Sequence, residues 1–268
     1  MKIEGARTIL TGASGGIGQA LAWELANHKA RLALVGRQEE RLASLAKELQ
    51  AMGCDAIPVI ADLTCKSGRE GLVEQMQKQF DGTDILINNA GMSAFCSFVQ
   101  TDPEVEEQIF RTNVLAPMQL TRAILPGMIE QGAGRIVNIG STFGSIAFAC
   151  FTSYSASKFA LRGFSEGLRR ELDGSGVGVT YIAPRAVNTE LNTAAVKQMA
   201  ERVKMNMDEP SSVAKQIVQA IERDRKERYL GFPESLFVRL NALFPRLVDS
   251  ALRNQNRVMQ TFTPQHPK

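Results

Sequence analysis

The chain is expected to form an α/β fold: one doubly wound parallel sheet with helices on both faces, followed by a C-terminal helical extension. Two observations lead there. Short apolar runs alternate with longer stretches whose apolar positions recur every three or four residues, the pattern of strands and the helices that cover them. The first run, Thr8-Ile9-Leu10, also passes through the glycine-rich stretch Thr11-Gly12-Ala13-Ser14-Gly15-Gly16-Ile17-Gly18 straight into a helix-forming segment.

The apolar runs place strands at 7–10, 31–35, 55–60, 85–88, 135–139 and 178–182. Helices are expected near 16–27, 39–52, 67–80, 102–129 and 153–172. The segment Glu39-Glu40-Arg41-Leu42-Ala43-Ser44-Leu45-Ala46-Lys47-Glu48-Leu49 reads as amphipathic, with one apolar face to bury. No internal repeat and no linker-like break interrupts residues 1–230, so one domain is expected there, with residues 231–268 as an amphipathic extension.

Composition narrows the class. The 268 residues are 44% hydrophobic and 22% charged, ordinary for a soluble globular protein. A net charge of +3, with no basic stripe interleaved with aromatics, argues against a nucleic-acid partner and suits a small anionic ligand. Cys54, Cys65, Cys96 and Cys150 have no metal-type spacing, so reduced thiols in the cytoplasm are expected. The N-terminus has no signal-peptide pattern, and no run approaches the ~20 apolar residues that span a bilayer. With only His28 and His266, a histidine-based triad or metal site is not expected.

The strand, glycine turn and helix at 8–22 form the arrangement that sets a helix N-terminus against a pyrophosphate. Gly12, Gly16 and Gly18 let the backbone approach such a ligand closely, although a glycine cluster can also be merely a tight turn. Further on, Tyr154 and Lys158 stand four residues apart, and Ser141 lies thirteen positions before the tyrosine. One helical turn puts phenol and ammonium on the same face. A free phenol has a pKa of about 10, and a cation within roughly 4–6 Å favours the phenolate. The trio therefore reads as a proton-transfer site, although Tyr-x-x-x-Lys by itself is a weak match.

Together these motifs resemble the short-chain dehydrogenases/reductases. Thr11-Gly12-x-x-x-Gly16-Ile17-Gly18, Asn88-Asn89-Ala90-Gly91, Asn113, Ser141 and Tyr154-x-x-x-Lys158 occur in that family's order over roughly residues 5–230. The resemblance implies a single Rossmann-like domain, a nicotinamide cofactor, and Asn113, Ser141, Tyr154 and Lys158 as the catalytic set. On that basis Tyr154 is the general acid/base and Ser141 polarises the substrate carbonyl. Lys158 lowers the tyrosine pKa and bonds the nicotinamide ribose, and Asn113 orders a water leading to Lys158. Asn89, Ala90 and Gly91 form a wall beside the cofactor. Asp62-Leu63 resembles the family's adenine-binding turn, though Asp62 equally suits a helix cap. Pro184, Val187 and Thr189 match the segment near the nicotinamide amide. One departure stands out: Arg185 replaces the family's usual glycine, and either lines the substrate pocket, favouring an anionic or acyl-carrier substrate, or points to solvent.

Gly36-Arg37 follows the second strand, where NAD-binding folds carry an acidic residue for the ribose hydroxyl. Arg37, with Ser14, instead suits a 2′-phosphate, so NADP is the expected cofactor. The plain alternative pairs Arg37 with Glu39 or Glu40. Residues 190–208, with Met199, Met205 and Met207, are expected to form a substrate lid.

In the extension, Leu236, Phe237, Leu240, Leu243, Phe244, Leu247, Val248, Ala251 and Leu252 recur at helical spacing. Arg239, Arg246 and Arg253 repeat every seven residues, and Pro245 bends or splits the helix. The stretch is read first as packing on its own subunit or a neighbour in a homodimer or homotetramer. A cover over the substrate opening and a membrane-surface contact through 234–255 are the alternatives, the latter not favoured. Residues 261–268 read as a frayed end.

The expected function is hydride transfer between NADP(H) and a ketone or secondary alcohol, with no metal. The rivals are a reductase of 3-oxoacyl thioesters, carried by acyl carrier protein or CoA, and a non-catalytic NADP-binding regulatory protein.

Overall fold

The computed structural model describes residues 1–263. Among them, seven strands follow in chain order: β1 (Arg7–Thr11), β2 (Arg31–Gly36), β3 (Ala56–Ile60), β4 (Ile85–Asn88), β5 (Gly134–Ile139), β6 (Val177–Ala183) and β7 (Glu227–Tyr229). They form one parallel sheet in the order β3-β2-β1-β4-β5-β6-β7. The order reverses between β1 and β4, which opens a crevice at the carboxyl ends of those strands.

Both faces are covered, as a parallel sheet requires. Successive residues of a strand feed opposite cores: Leu32 and Leu34 join one, Ala33 and Val35 the other. On the first face lie α1 (Gly16–Asn27), α2 (Glu39–Ala51) and α8 (Pro210–Glu222), contributing Leu21, Leu25, Leu42, Leu49, Ile217 and Ile221. On the second lie α3 (Lys66–Phe80), α5 (Ala116–Glu130) and α6 (Thr152–Glu171), contributing Leu72, Met76, Leu120, Ile124 and Leu168. The six expected strands all form, and the fold is the expected single Rossmann-like domain.

Three local differences have physical reasons. The short strand β7 has no apolar run because it is a half-exposed edge, Glu-Arg-Tyr, paired only with β6. The helix expected over 102–129 is split into α4 (Pro103–Phe110), a π-helical turn at Arg111–Leu115, and α5. Pro117 has no N–H, so the carbonyl of Asn113, four residues earlier, lacks its regular α-helical donor, and the wider turn accommodates the gap. At the C-terminus, α9 (Glu234–Leu243) and α10 (Pro245–Gln260) meet at Pro245, which occupies the first turn of the second helix. Residues 261–263 are not frayed: Met259 is fully buried, Phe262 packs against the same cluster, and Thr263 is buried. The remainder of the expected frayed end, 264–268, lies outside the described residues.

Arg185 is not turned to solvent; it borders an apolar groove beside Phe143, and its charge is met by the protein's own carboxylates. Its guanidinium donates to both carboxylate oxygens of Asp208 (3.0 and 2.7 Å), to Glu234 (3.0 Å) and to the carbonyl of Phe232 (3.1 Å). With its side chain 16% exposed and two carboxylates on it, the cation is already neutralised. It clamps the loop after β6 to the end of the 190–208 segment and to the start of α9. Replacing Arg185 by Ala leaves two half-buried carboxylates without their donor. The expected result is a loss of about 1–3 kcal/mol, seen as a lower urea midpoint. A midpoint equal to wild type would show that the clamp does not hold the extension.

Candidate active site

A cleft of about 390 Å³ occupies the crevice at the carboxyl ends of β1, β2, β3 and β4. Its floor is the turn after β1. Gly12 has φ +65°, and a Cβ there would lie 2.8 Å from the Cα of Ala90. A Cβ on Gly18 would fall 2.0 Å from the carbonyl oxygen of Gly12. Only glycine fits at either place, and the space that results is a cradle for phosphate oxygens. The N-terminus of α1 borders this cradle without a side-chain cap and without acidic residues in its first turn. Free N–H groups and a positive helix end therefore face the cleft.

The turn is held to the segment after β4 by a residue not singled out in the sequence. Thr11 Oγ1 accepts the N–H groups of Asn89 (2.9 Å) and Ala90 (3.0 Å), while the Asn89 amide donates to the carbonyls of Thr11 and Gly12. Gly12, Ser14, Gly16, Ile17, Gly18, Arg37, Asp62, Leu63, Asn89, Ala90, Gly91 and Thr189 all line the cleft as expected. Pro184, Val187, Tyr154 and Lys158 do not. The Pro184 carbonyl accepts from Thr142 N–H, and Val187 is buried in the core.

Arg37 makes no ion pair among the described residues, neither with Glu39 nor with Glu40. It adds to the hydrogen bonds from Thr64 that hold the Asp62 carboxyl below its ordinary range. Asp62 does not cap α3; the sulfur of Cys65 accepts the Gly68 N–H in that position. A second arginine lines the same end of the cleft. Arg41, four residues beyond Arg37, bridges to Glu190 at 2.7 Å. Repetition of arginine at that spacing was the signal for it. The Ser14 hydroxyl, the uncapped helix end, the glycine cradle and the arginines at this end make a lining that fits a dinucleotide.

Two of the catalytic candidates, Asn113 and Lys158, adjoin the cleft at Gly91. A Cβ there would sit 3.4 Å from Asn113 Oδ1 and 3.6 Å from Lys158 Nζ. Lys158, buried on α6, donates to the Ile139 carbonyl (3.0 Å), and its ammonium lies 5.7 Å from the centroid of the Tyr154 ring. Ser141 Oγ, after β5, accepts the Phe143 N–H (3.1 Å). The fully buried Tyr181 supports this corner by donating to the Ser141 carbonyl (3.3 Å). Asn113 is spent mainly on structure. Its amide donates to the Met92 carbonyl (2.9 Å) and Ser157 (3.0 Å), and its Oδ1 accepts the Met92 N–H (2.9 Å). One oxygen lone pair remains for the water expected of it.

Burial dominates the protonation of this corner. It pushes the Tyr154 phenol up to about 12, against a smaller opposing contribution from Ser141, and brings the Lys158 ammonium down to about 8. The expected lowering of the phenol pKa by Lys158 is thus not produced by the chain's own residues. Both groups lose their hydration, and that loss outweighs their attraction at this separation.

The other side of Tyr154 is apolar. Phe143 and Phe151 meet its ring edge-on at 6.0 and 6.4 Å, with Phe95 and Phe148 stacked behind them. Helix α7 (Ala194–Arg202) sets Val196 and Met199 on this cluster, joined by Val203, Met205 and, from the C-terminal end, Met259 and Phe262. Val196, Met199, Val203 and Met205 of the 190–208 segment thus share one apolar cluster with Tyr154.

A family model described as short chain dehydrogenase matches residues 6–200. A ketoacyl reductase named HetN, from a Nostoc strain, is 36% identical over 84% of this chain and 78% of its own length. A Bos taurus dehydrogenase/reductase, SDR family member 7B, is 33% identical over 95% of this chain and 84% of its own. Among solved structures, a short chain dehydrogenase/reductase from Burkholderia phymatum in complex with NAD superposes with a TM-score of 0.84 at 25% identity, covering 92% of this chain and 96% of that one. With a glycine-floored cleft whose Gly91 end adjoins Asn113 and Lys158, and matches along most of its length, the chain belongs to the short-chain dehydrogenase/reductase family of oxidoreductases.

Proposed function

We propose that the protein is an NADP(H)-dependent carbonyl reductase acting on an apolar ketone, with Tyr154 as its proton donor. The observation that carries this reading is a cleft that two arginines line and whose Gly91 end adjoins Lys158 of the Ser–Tyr–Lys trio. Gly12, Gly16, Gly18 and the α1 N-terminus would hold the pyrophosphate, with Arg37, Arg41 and Ser14 at the 2′-phosphate. The reduced nicotinamide supplies the hydride that the carbonyl carbon receives.

The chain's residues do the rest. The Phe143 N–H occupies one lone pair of Ser141 Oγ, leaving that hydroxyl's own proton free to donate to the carbonyl oxygen. Tyr154, with its phenol near 12, carries its proton at neutral pH and gives it to the oxygen as negative charge develops there. Lys158, near 8, is largely charged at neutrality and offsets the phenolate that remains. The aromatic cage excludes water and offers a ketone hydrocarbon contact rather than charge. Arg185, bound to Asp208 and Glu234, offers no anion site. A 3-oxoacyl thioester is the second reading, favoured by the name of the Nostoc relative. NADPH consumption compared between apolar ketones and acetoacetyl-CoA separates the two. No turnover with either, despite NADPH binding, would restore the non-catalytic alternative.

Three outcomes are expected. Tyr154→Phe keeps the ring and removes the proton, so kcat falls about 10²–10⁴-fold while NADPH affinity stays within twofold; near-normal turnover would rule the tyrosine out as donor. Arg37→Gln with Arg41→Gln raises KM for NADPH about 10–100-fold and leaves KM for NADH unchanged; equal effects on both cofactors would contradict the 2′-phosphate role. The third concerns stability. Between pH 8 and 10 the unfolded chain holds a proton on Lys158 that the folded chain has released, so stability rises with pH across that window. At ~1.36 kcal/mol for each pH unit the gain is on the order of 3 kcal/mol. Above pH 10 the trend reverses, because folded Tyr154 keeps a proton that the unfolded chain loses. Urea midpoints of wild type and Lys158→Met between pH 7 and 10 check this, the variant lacking the rise.

A further inference from the structure

Helix α10 is the most amphipathic helix among the described residues, and most of the apolar side of the α9–α10 hairpin is not covered. Only Val238 and Met259 in the two helices are buried. Phe232, Leu236, Phe237, Leu243, Phe244 and Leu247 are all exposed, with Phe232 at 75%, Leu243 at 70% and Leu247 at 68%. With Leu240 also exposed, seven large apolar side chains within sixteen consecutive residues make a patch that water disfavours. Arg239 and Arg246 lie inside that stretch, and Arg253 and Arg257 follow on α10. None of the four makes an ion pair or donates a side-chain hydrogen bond among the described residues. Of the two carboxylates in these helices, Glu234 is already bound to Arg185, which leaves Asp249 alone against four cations.

We infer that this hairpin docks on an anionic membrane surface, with Leu243, Phe244 and Leu247 in the headgroup–acyl boundary and the arginines on lipid phosphates. Charge complementarity selects this partner. Headgroups supply the anions that these arginines lack, whereas a second copy, pairing the patch with itself, would bring the same cations together. A short helix pair with an apolar side and an arginine-bearing polar side is the form that lies in an interface rather than crossing it. No helix of the described residues is long and apolar enough to cross a membrane. The docked face also leads inward. An apolar groove of about 460 Å³ runs between α9–α10, Met205 and Phe143, and the Phe143 ring packs against Tyr154.

The test is co-sedimentation of the full chain with vesicles of phosphatidylcholine alone or with 30% phosphatidylglycerol, alongside gel filtration. The protein is expected to sediment with the anionic vesicles and much less with the neutral ones. Leu243→Ser with Leu247→Ser should abolish sedimentation. Arg246→Gln and Arg253→Gln should each weaken it about fivefold, an effect lost in high salt. Because all four positions are exposed, thermal midpoint and NADPH affinity should stay at wild-type values. Failure to sediment with either vesicle overturns the inference, as does a leucine variant that sediments like wild type. A dimer that the leucine variant breaks, without vesicle binding by wild type, assigns the patch to a second copy instead. NADPH turnover on a soluble ketone is read separately, so the catalytic proposal can fail while this one stands.

Discussion

The docking of α6 against the sheet is the constraint on which the site depends, and a buried chain of hydrogen bonds makes it specific. Asn88 Nδ2 donates to Asn138 Oδ1 (2.8 Å) across β4 and β5, Asn138 Nδ2 donates to Ser165 Oγ (2.8 Å), and Ser165 donates to the Leu161 carbonyl within α6 (2.7 Å). These side chains are almost fully enclosed, so an arrangement that broke one link would strand a polar group at about 1–3 kcal/mol. Apolar packing alone would let α6 slide along the sheet. The polar chain fixes its register, and one turn of that helix carries Tyr154 and Lys158. The Lys158 bond to Ile139 then ties the ammonium to the end of the strand that leads to Ser141.

From that placement the chemistry divides into two halves of opposite character. The cleft side presents backbone N–H groups, a helix end and two arginines, a surface for phosphates. The cage side presents phenylalanines and methionines, a surface for hydrocarbon. Tyr154 and Lys158 stand at the boundary, where neither has much water. Their protonation follows from this: burial favours the neutral phenol and the neutral amine together. A tyrosine that keeps its proton is a ready acid for a developing alkoxide.

The same economy governs the C-terminal extension. The loop after β6 carries an arginine where the family usually has glycine, and that one side chain gathers Asp208 from one segment and Glu234 from another. The extension is thereby anchored at the start of α9, and Met259 and Phe262 anchor its far end in the cage around Tyr154. With both ends fastened inward, the middle of the hairpin keeps its leucines and phenylalanines outside. The sequence pattern predicts an amphipathic stretch that Pro245 bends or splits; which side of it meets the protein follows only from the clamp.

Local signals were enough for much of this molecule. Glycine spacing, strand-length apolar runs, helical periodicity and the order of Ser141, Tyr154 and Lys158 depend on residues close in sequence, and they determined the sheet, its helices and the location of the cleft. The contacts of Thr11, Arg41, Tyr181 and the Asn88–Asn138–Ser165 chain escaped because their partners lie on other elements, tens of residues away. The π-turn at Asn113 had a visible cause in Pro117, but its use, bracing Met92 against Ser157, is a tertiary contact. Most of all, the sign of the pKa shifts at Tyr154 and Lys158 was beyond the sequence. A motif counts charges at a spacing, while a pKa depends on how much water each charge loses, and only the packed fold sets that.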